Sequence, residues 1–424
     1  MASEKNEQRV IIILCMTTMI LLSEYKVEFM ERLNGNFYRR PDMEIGVQQC
    51  VPHYESLKGH MERDIGHVVL NQTAMSLVAA YNYGSYAIVT VEAQGWYGKE
   101  VYCRYLDANL SETEPAIRTV VFPEFVVYCC GRERATYMSI TETADEAVVI
   151  TAPVMQNQAR RYKYNVSLCL APIYGKNSVW LLLAEAIEYY KLQGIEHFYL
   201  YVKDIEGYSR RLLEDYIKDG DVEVVYFKSQ DNRNDKLWQL VGVEDCLYKN
   251  RNLSRYLLFG DLDERLTPIA NFTIAEYISN AMVENPRCGA LSFDPRWVIR
   301  TSTPPTVYQG KNTLRKHLPM LVFRNTSAPP LQQGDTAKYA LDPKKVILAW
   351  VHDVRIFVPG FKNCNVCNQN AYIRHYRSIA GERFMERKLP RIMALGPFEM
   401  ISYPVSLQTQ LLSNIKKRLD RVYL

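Results

Sequence analysis

Residues 255–268 read Arg-Tyr-Leu-Leu-Phe-Gly-Asp-Leu-Asp-Glu-Arg-Leu-Thr-Pro, and this stretch constrains the fold more than any other. The aromatic and aliphatic run at 256–259, closed by Gly260 and later by Pro268, is expected to form a buried strand of an α/β sheet. It empties directly into Asp261, Asp263 and Glu264, so the carboxylates fall at the strand's C-terminal edge. Open α/β sheets bind ligands outside the carboxyl ends of their strands, and two aspartates one residue apart supply hard oxygen ligands for a divalent cation. The expectation is a metal carrying a phosphate.

Two rival readings of the same residues fail. A calcium loop framed from Asp261 needs glycine at its sixth position, where Leu266 stands, and Arg265 occupies the fifth. A haloacid-dehalogenase-type phosphatase expects Thr or Val two residues after the second aspartate, and that place is also Arg265.

The chain on either side supports an alternating sheet. From residue 164 onward, strands are expected at 166–171, 197–202 and 222–227, with helices around 180–191, 209–218 and 237–249, which implies a mainly parallel sheet with helices on both faces. The last of these helices carries Leu237, Leu240, Val241, Leu247 and Tyr248 on one side. The turn Ala171-Pro172-Ile173-Tyr174-Gly175-Lys176 lacks the glycine spacing of either common phosphate loop, so phosphate must be held through the aspartates and a metal. Before this region, 61–160 has short β-rich runs such as 86–91, 120–128 and 147–150 and is expected to be a small all-β domain. Trp96 and Tyr97 there could stack on sugar faces, but aromatic residues in strands more often fill a core.

The remaining features concern compartment. Residues 10–22 are the one long apolar run, short for a full span and followed by no small-x-small cleavage site. We read 1–9 as a cytoplasmic tail, 10–22 as an uncleaved signal-anchor and 23–60 as a stalk, with a cleaved signal as the alternative. Glycosylation acceptors stand at Asn71, Asn109, Asn165, Asn252, Asn271 and Asn325, an excess that favours a secretory-pathway lumen. In such a lumen the nine cysteines beyond Cys15, which leave one unpaired, are expected to form disulfides of undetermined connectivity rather than a zinc site, because Cys364-x-x-Cys367 lacks a second spaced pair. Basic and acidic residues number 51 and 47 without like-charge runs, so nothing here resembles a nucleic-acid footprint. A tail helix is expected at 405–419 within a terminal segment 401–424, docking on its own domain.

The α/β region resembles glycosyltransferase family 92. The resemblance lies in Cys169-Leu170-Ala171-Pro172-Ile173-Tyr174-Gly175, in Trp180 with Glu185, Tyr190, Gly194 and Phe198, and in Asp245-Cys246-Leu247. It continues in Asp261-Leu262-Asp263-Glu264, Lys344-Lys345-Val346, Val351-His352 and His375-Tyr376-Arg377. The β-rich region, with Ala80-Tyr81 and Cys103, looks like the stem domain that precedes this region in relatives.

The resemblance implies a GT-A type nucleotide-sugar-binding mixed sheet at 161–400, a UDP-galactose or other UDP-sugar donor, a glycan acceptor, and an inverting, manganese-dependent hexosyl transfer in a type II Golgi membrane protein. By the same resemblance Asp261 and Asp263 bind metal and donor, and His352 or His375 is a further metal ligand. Arg377 pairs with the diphosphate, and Asp294, or else Asp335, is the base. Gly260 stands where a bulkier residue is expected. The alternative is a catalytically inactive relative that binds carbohydrate or a partner protein.

Overall fold

The computed structural model describes residues 46–61, 72–227, 237–269, 272–330, 336–379 and 383–424. The apolar run at 10–22, Asn71, Asn271, the loop at 229–236 and Asp335 lie outside them. Residues Met43–Leu424 form one compact unit.

The unit begins with helix α1 (Tyr54–Met61) and then seven strands, β1 (Ser76–Asn82), β2 (Tyr86–Glu92), β3 (Glu100–Leu106), β4 (Glu112–Val120), β5 (Val126–Cys130), β6 (Tyr137–Thr141) and β7 (Ala152–Gln156). They pair in the order β4-β3-β6-β7-β1-β2-β5. Two local expectations are corrected. The run at 120–128 is not one strand, because Pro123 donates no backbone hydrogen bond and the ladder breaks between β4 and β5. Residues 147–150 are not a strand either; Val149 is exposed, and the strand starts at Ala152. Trp96 is buried and its Nε1 donates to the Thr73 carbonyl at 2.7 Å, so it serves the core.

The stalk expected over 23–60 stops short of residue 60. Val47, Val51, Tyr54, Leu57 and Met61 are buried, and Cys50 is bonded to Cys130 at the end of β5. A second bridge, Cys103–Cys129, ties β3 to β5.

The alternating region follows: β8 (Tyr164–Ile173), α2 (Trp180–Leu192), β9 (His197–Val202), α3 (Gly207–Lys218), β10 (Val222–Tyr226), α4 (Trp238–Lys249) and β11 (Ser254–Gly260). Local chemistry sets the helix ends. Glu206 accepts from the backbone N–H groups of Tyr208 and Ser209 at the start of α3, and Gly194 supplies the left-handed backbone just past α2. Next come β12 (Glu264–Pro268), α5 (Ile274–Glu284), β13 (Cys288–Phe293), β14 (Pro295–Arg300), α6 (Lys311–His317), α7 (Pro319–Val322) and β15 (Asn325–Thr326). The chain ends with β16 (Lys338–Leu341), β17 (Val346–Ala349), β18 (Val354–Phe357), β19 (Lys362–Asn365), β20 (Ala371–Ser378), α8 (Arg383–Met393), β21 (Glu399–Met400) and α9 (Val405–Tyr423).

The central sheet has the order β10-β9-β8-β11-β16-β13-β19. Strands β10, β9, β8 and β11 are parallel, whereas β16 runs antiparallel to both β11 and β13. From β8 the chain steps outward through β9 to β10, then α4 returns it so that β11 pairs on β8's other side. The strand order reverses at that point, and the crevice beyond the ends of β8 and β11 is where such sheets bind ligands. A second, five-stranded sheet, β12-β20-β14-β15-β21, starts where β11 ends.

One face of the central sheet, through Val166, Leu168 and Leu170, packs on α2, α3, α5 and α9, with Leu411, Ile415 and Leu419 seating the tail helix on its own domain. The other face, through Tyr199, Tyr201, Leu257 and Phe259, packs on α4, and α4 is covered in turn by Tyr81, Ile88 and Val126 of the first sheet. Helix α4 is therefore buried nearly all round and not on one side only. Asp245 at its centre accepts from the Tyr81 and Tyr201 hydroxyls at 2.8 and 2.7 Å, and Cys246 is bonded to Cys169 of β8. The first sheet thus shares a core with the α/β region.

Candidate active site

The acidic stretch is a tight turn between two sheets. Gly260 closes β11, the Glu264 N–H donates to the Asp261 carbonyl at 3.1 Å, and the Asp261 N–H donates back to Glu264 Oε2 at 2.9 Å. Strand β12 then pairs antiparallel with β20, setting Glu264 opposite His375, while the Tyr376 N–H donates to the Asp263 carbonyl at 2.7 Å. A Cβ at Gly260 would meet only ordinary contacts at 3.9 Å, so close packing does not require glycine there.

Four of the candidate metal and donor residues, Asp261, Asp263, His375 and Arg377, come together around Glu264. His375 Nε2 lies 3.6 Å from Asp263 Oδ2, and Arg377 Nη1 donates to that same oxygen at 3.2 Å. His375 Nδ1 faces Glu264 Oε1 at 3.5 Å, too long for a hydrogen bond, so that His375's two nitrogens and Glu264 Oε1 are buried without hydrogen-bond partners. Asp261 receives Lys338 Nζ at 3.1 Å, and the same ammonium is 3.7 Å from Glu264 Oε2.

His352 joins the edge of the group. Its Nδ1 is 3.2 Å from the Ala337 carbonyl, which can only accept, so Nδ1 carries the proton and Nε2 keeps its lone pair.

The charges are strongly coupled. Burial pushes the Asp263 carboxyl up, but His375, Arg377 and Arg300 outweigh it and hold the group well below the usual carboxylate range. Burial and the neighbouring Asp261 push Glu264 up to about 7, against the pull of Lys338 and His375. Burial works against the charged forms of Lys338 and His375, yet the carboxylates around them raise both. His352 is pushed down to about 4 by burial and by Lys338.

Asp294 directly links β13 to β14, since Pro295 already belongs to β14. It is buried, and the Asn368 amide donates to its Oδ2 at 3.1 Å. Asp335 lies outside the described residues.

Sequence reasoning missed Lys338, Arg300 and Trp297. Trp297 stands opposite His375 on β14 and stacks on its imidazole at 4.6 Å. Lys338 had a recognisable signal, a lone cation heading the apolar strand Lys-Tyr-Ala-Leu, the charge-reversed counterpart of the run that empties into Asp261.

Among the described residues no three His, Cys, Asp or Glu side chains are arranged as a ready-made metal cage, because Asp261 and Asp263 are turned onto Lys338 and Arg377. Groups that a divalent cation uses are nonetheless at hand: carboxylate oxygens of Asp261 and Asp263 at a sheet edge, the His352 nitrogen that keeps its lone pair, and Glu264 Oε1 and both His375 nitrogens, buried without hydrogen-bond partners.

A mixed sheet with carboxylates, lysine, arginine and histidine gathered beyond its switch point defines an α/β protein whose charged groups of both signs meet at the edge where such sheets bind ligands. The chain belongs to glycosyltransferase family 92, whose family model matches residues 164–411. A beta-1,4-galactosyltransferase, galt-1 of Caenorhabditis elegans, is 32% identical over 135 residues, a match that covers 30% of this chain and 31% of that protein. The chain thus spans about a third of that relative's length. Among solved structures, S. aureus TarS 1-349 is similar with a TM-score of 0.27 and 11% identity, over 60% of this chain and 71% of that one. A UDP-glucose pyrophosphorylase complexed with UDP-glucose has a TM-score of 0.24 and 10% identity, over 61% and 99%. Likenesses this low carry no argument about the fold, and the family assignment rests on sequence.

Proposed function

We propose that this family 92 glycosyltransferase has a GT-A type domain and transfers galactose from UDP-galactose to a glycan hydroxyl with inversion, aided by manganese. The observation that carries this reading is the convergence of Asp261, Asp263, Lys338, His375 and Arg377 beyond β11, where carboxylates and cations are interleaved. A diphosphate needs cations and a metal needs carboxylates, and both kinds of group meet here within one turn. The galactosyl donor follows from the likeness to galt-1. Four disulfides and the sequence signals of 10–22 support a Golgi-type, single-pass membrane protein with this domain in the lumen.

Asp261, Asp263 and the Nε2 of His352 would hold the metal, which when bound neutralises the charge that develops on the departing diphosphate. Arg377, which donates to Asp263, would pair with diphosphate oxygens, and His375 lies between Asp263 and Glu264. The acceptor oxygen attacks the anomeric carbon as the carbon–oxygen bond to diphosphate breaks, and a carboxylate, here Asp294, takes the hydroxyl proton.

The test is hydrolysis and transfer with UDP-galactose against other UDP-sugars, with manganese or EDTA, for the wild type and Asp263→Asn. Manganese-dependent galactosyl turnover that Asp263→Asn abolishes is expected. Folded wild-type protein that neither binds nor turns over any UDP-sugar would point instead to a carbohydrate- or partner-binding role.

A further inference from the structure

The acidic turn already contains a cation of its own. Lys338 opens β16, the strand beside β11, and its side chain is 2% exposed. Its ammonium touches Asp261 at 3.1 Å and approaches Glu264 at 3.7 Å, and the residue before it, Ala337, anchors His352. Lys338 therefore sits amid the side chains that the preceding subsection assigns to metal and donor.

A buried ammonium needs a counter-charge, and Asp261 supplies it here. A divalent cation on Asp261 and Asp263 would add two positive charges beside Lys338, where Arg377 and His375 already face the same few carboxylates, Asp261, Asp263 and Glu264. A diphosphate would offset them, since its oxygens can face a metal and an ammonium together. Lysine suits the exchange because its charge is a point at the end of a flexible stem, not a fixed fork.

We propose that Lys338 is an exchangeable counter-ion: it occupies Asp261 while the site is free and moves onto a diphosphate oxygen when cation and nucleotide bind together. The proposal rests on the donor reading above. Its consequence is reciprocal coupling, in which the nucleotide strengthens cation binding and the cation strengthens nucleotide binding by the same factor. Lys338 contributes to that coupling by weakening the binding of a cation that arrives alone.

The experiment is equilibrium binding of Mn2+ with and without UDP to the full chain, comparing wild type, Lys338→Met, Lys338→Arg and the charge-balanced pair Lys338→Met/Glu264→Gln. In the wild type, UDP is expected to raise Mn2+ affinity by on the order of 5–150-fold. In Lys338→Met, Mn2+ alone binds about tenfold or more tightly than in wild type, a change of about 1.4 kcal/mol, and the added factor from UDP shrinks. Lys338→Arg keeps the charge and stays near wild type for Mn2+ alone. The double variant removes one charge of each sign, so its affinity for Mn2+ alone reports both losses, but the added factor from UDP shrinks in it as in the single variant, which keeps the test if Lys338→Met does not fold. Folded variants that bind Mn2+ alone no more tightly, with the UDP factor unchanged, overturn this proposal and leave the donor reading standing. A wild type that binds neither Mn2+ nor UDP overturns both.

Discussion

The Arg265 guanidinium reaches Glu185 on α2 across 80 residues of chain, Nη2 to Oε1 at 3.0 Å, with both side chains fully buried. Its Nη1 donates to the carbonyls of Leu262 and Glu264 at 2.8 and 2.7 Å, and Glu185 Oε2 accepts the Met320 N–H at 2.9 Å. Leu262 lies between the two aspartates, so this ion pair supports the backbone of the acidic turn from beneath.

Removing one partner leaves a buried charge uncompensated, so Arg265→Met is expected to lower stability by about 3–5 kcal/mol in urea unfolding. The double variant Glu185→Leu/Arg265→Met should recover much of that stability, because neither charge remains. It should not recover UDP-sugar binding, because the Leu262 carbonyl is still unsupported. Recovery of both would mean that the pair stabilises the fold without shaping the site.

A second buried carboxyl makes a prediction about pH. Glu244 on α4 accepts the Ala349 N–H at 2.9 Å through Oε1, while Oε2 is buried without a hydrogen-bond partner. Burial raises its pKa well above 4.5, against the pulls of the Ala349 N–H and Arg251, and Glu124 raises it further. A raised carboxyl binds its proton more tightly when folded, so its contribution is complete at acid pH. It is lost as pH climbs above 4.5, at about 1.4 kcal/mol per unit until the folded-state pKa is passed. Glu244→Gln has no proton to lose, so its stability should rise relative to wild type from pH 5 to pH 8. Parallel stability curves for the two proteins would refute this.

Disulfide usage is open to direct chemical mapping. Cys169–Cys246 staples β8 to α4 and Cys288–Cys364 staples β13 to β19, whereas Cys367 is the free cysteine among the described residues and is exposed. Alkylation of native protein should label Cys367 and spare the eight bridged cysteines until a reductant is added. Replacing Cys169 and Cys246 together by alanine should cost about 2–5 kcal/mol. Labelling of Cys364 in the native protein would contradict the pairing.

Sequence revealed most of the central sheet because β8 to β11 are short apolar runs separated by helices with recognisable ends, such as Gly194 after α2. It placed Asp261 and Asp263 at a strand edge for the same reason. Long-range pairings left no local trace. Lys338 meets Asp261 across 77 residues, a contact created by β16 inserting beside β11, and no periodicity encodes that strand order. The covered face of α4 was hidden too, because Gly242 and Asp245 make it look half-solvated. Gly242 is in fact a close approach, where a Cβ would meet Pro172 at 3.0 Å, and Asp245 receives hydroxyls from two sheets. The stalk reading failed at its end because Cys50 carries no sign of its partner 80 residues on.

The assignment of Asp294 as base separates from a structural role by kinetics. Asp294→Asn preserves shape, and the new amide oxygen can still accept from Asn368, so the fold should survive and UDP-galactose should bind as before. A lost base removes a contribution made only in the transition state, so kcat should fall by about 10²–10⁴-fold with little change in donor KM. A structural carboxylate would instead show reduced stability and a shifted KM with kcat largely kept. Asp335→Asn, assayed in parallel, should retain turnover if Asp294 is the base, and the reverse result would transfer the role to Asp335. The comparison is decisive because either carboxylate, if it takes the acceptor's proton, must be ionised before transfer. The pH–rate profile of the active variant should therefore keep the acid limb seen in the wild type, and that limb should vanish with the true base.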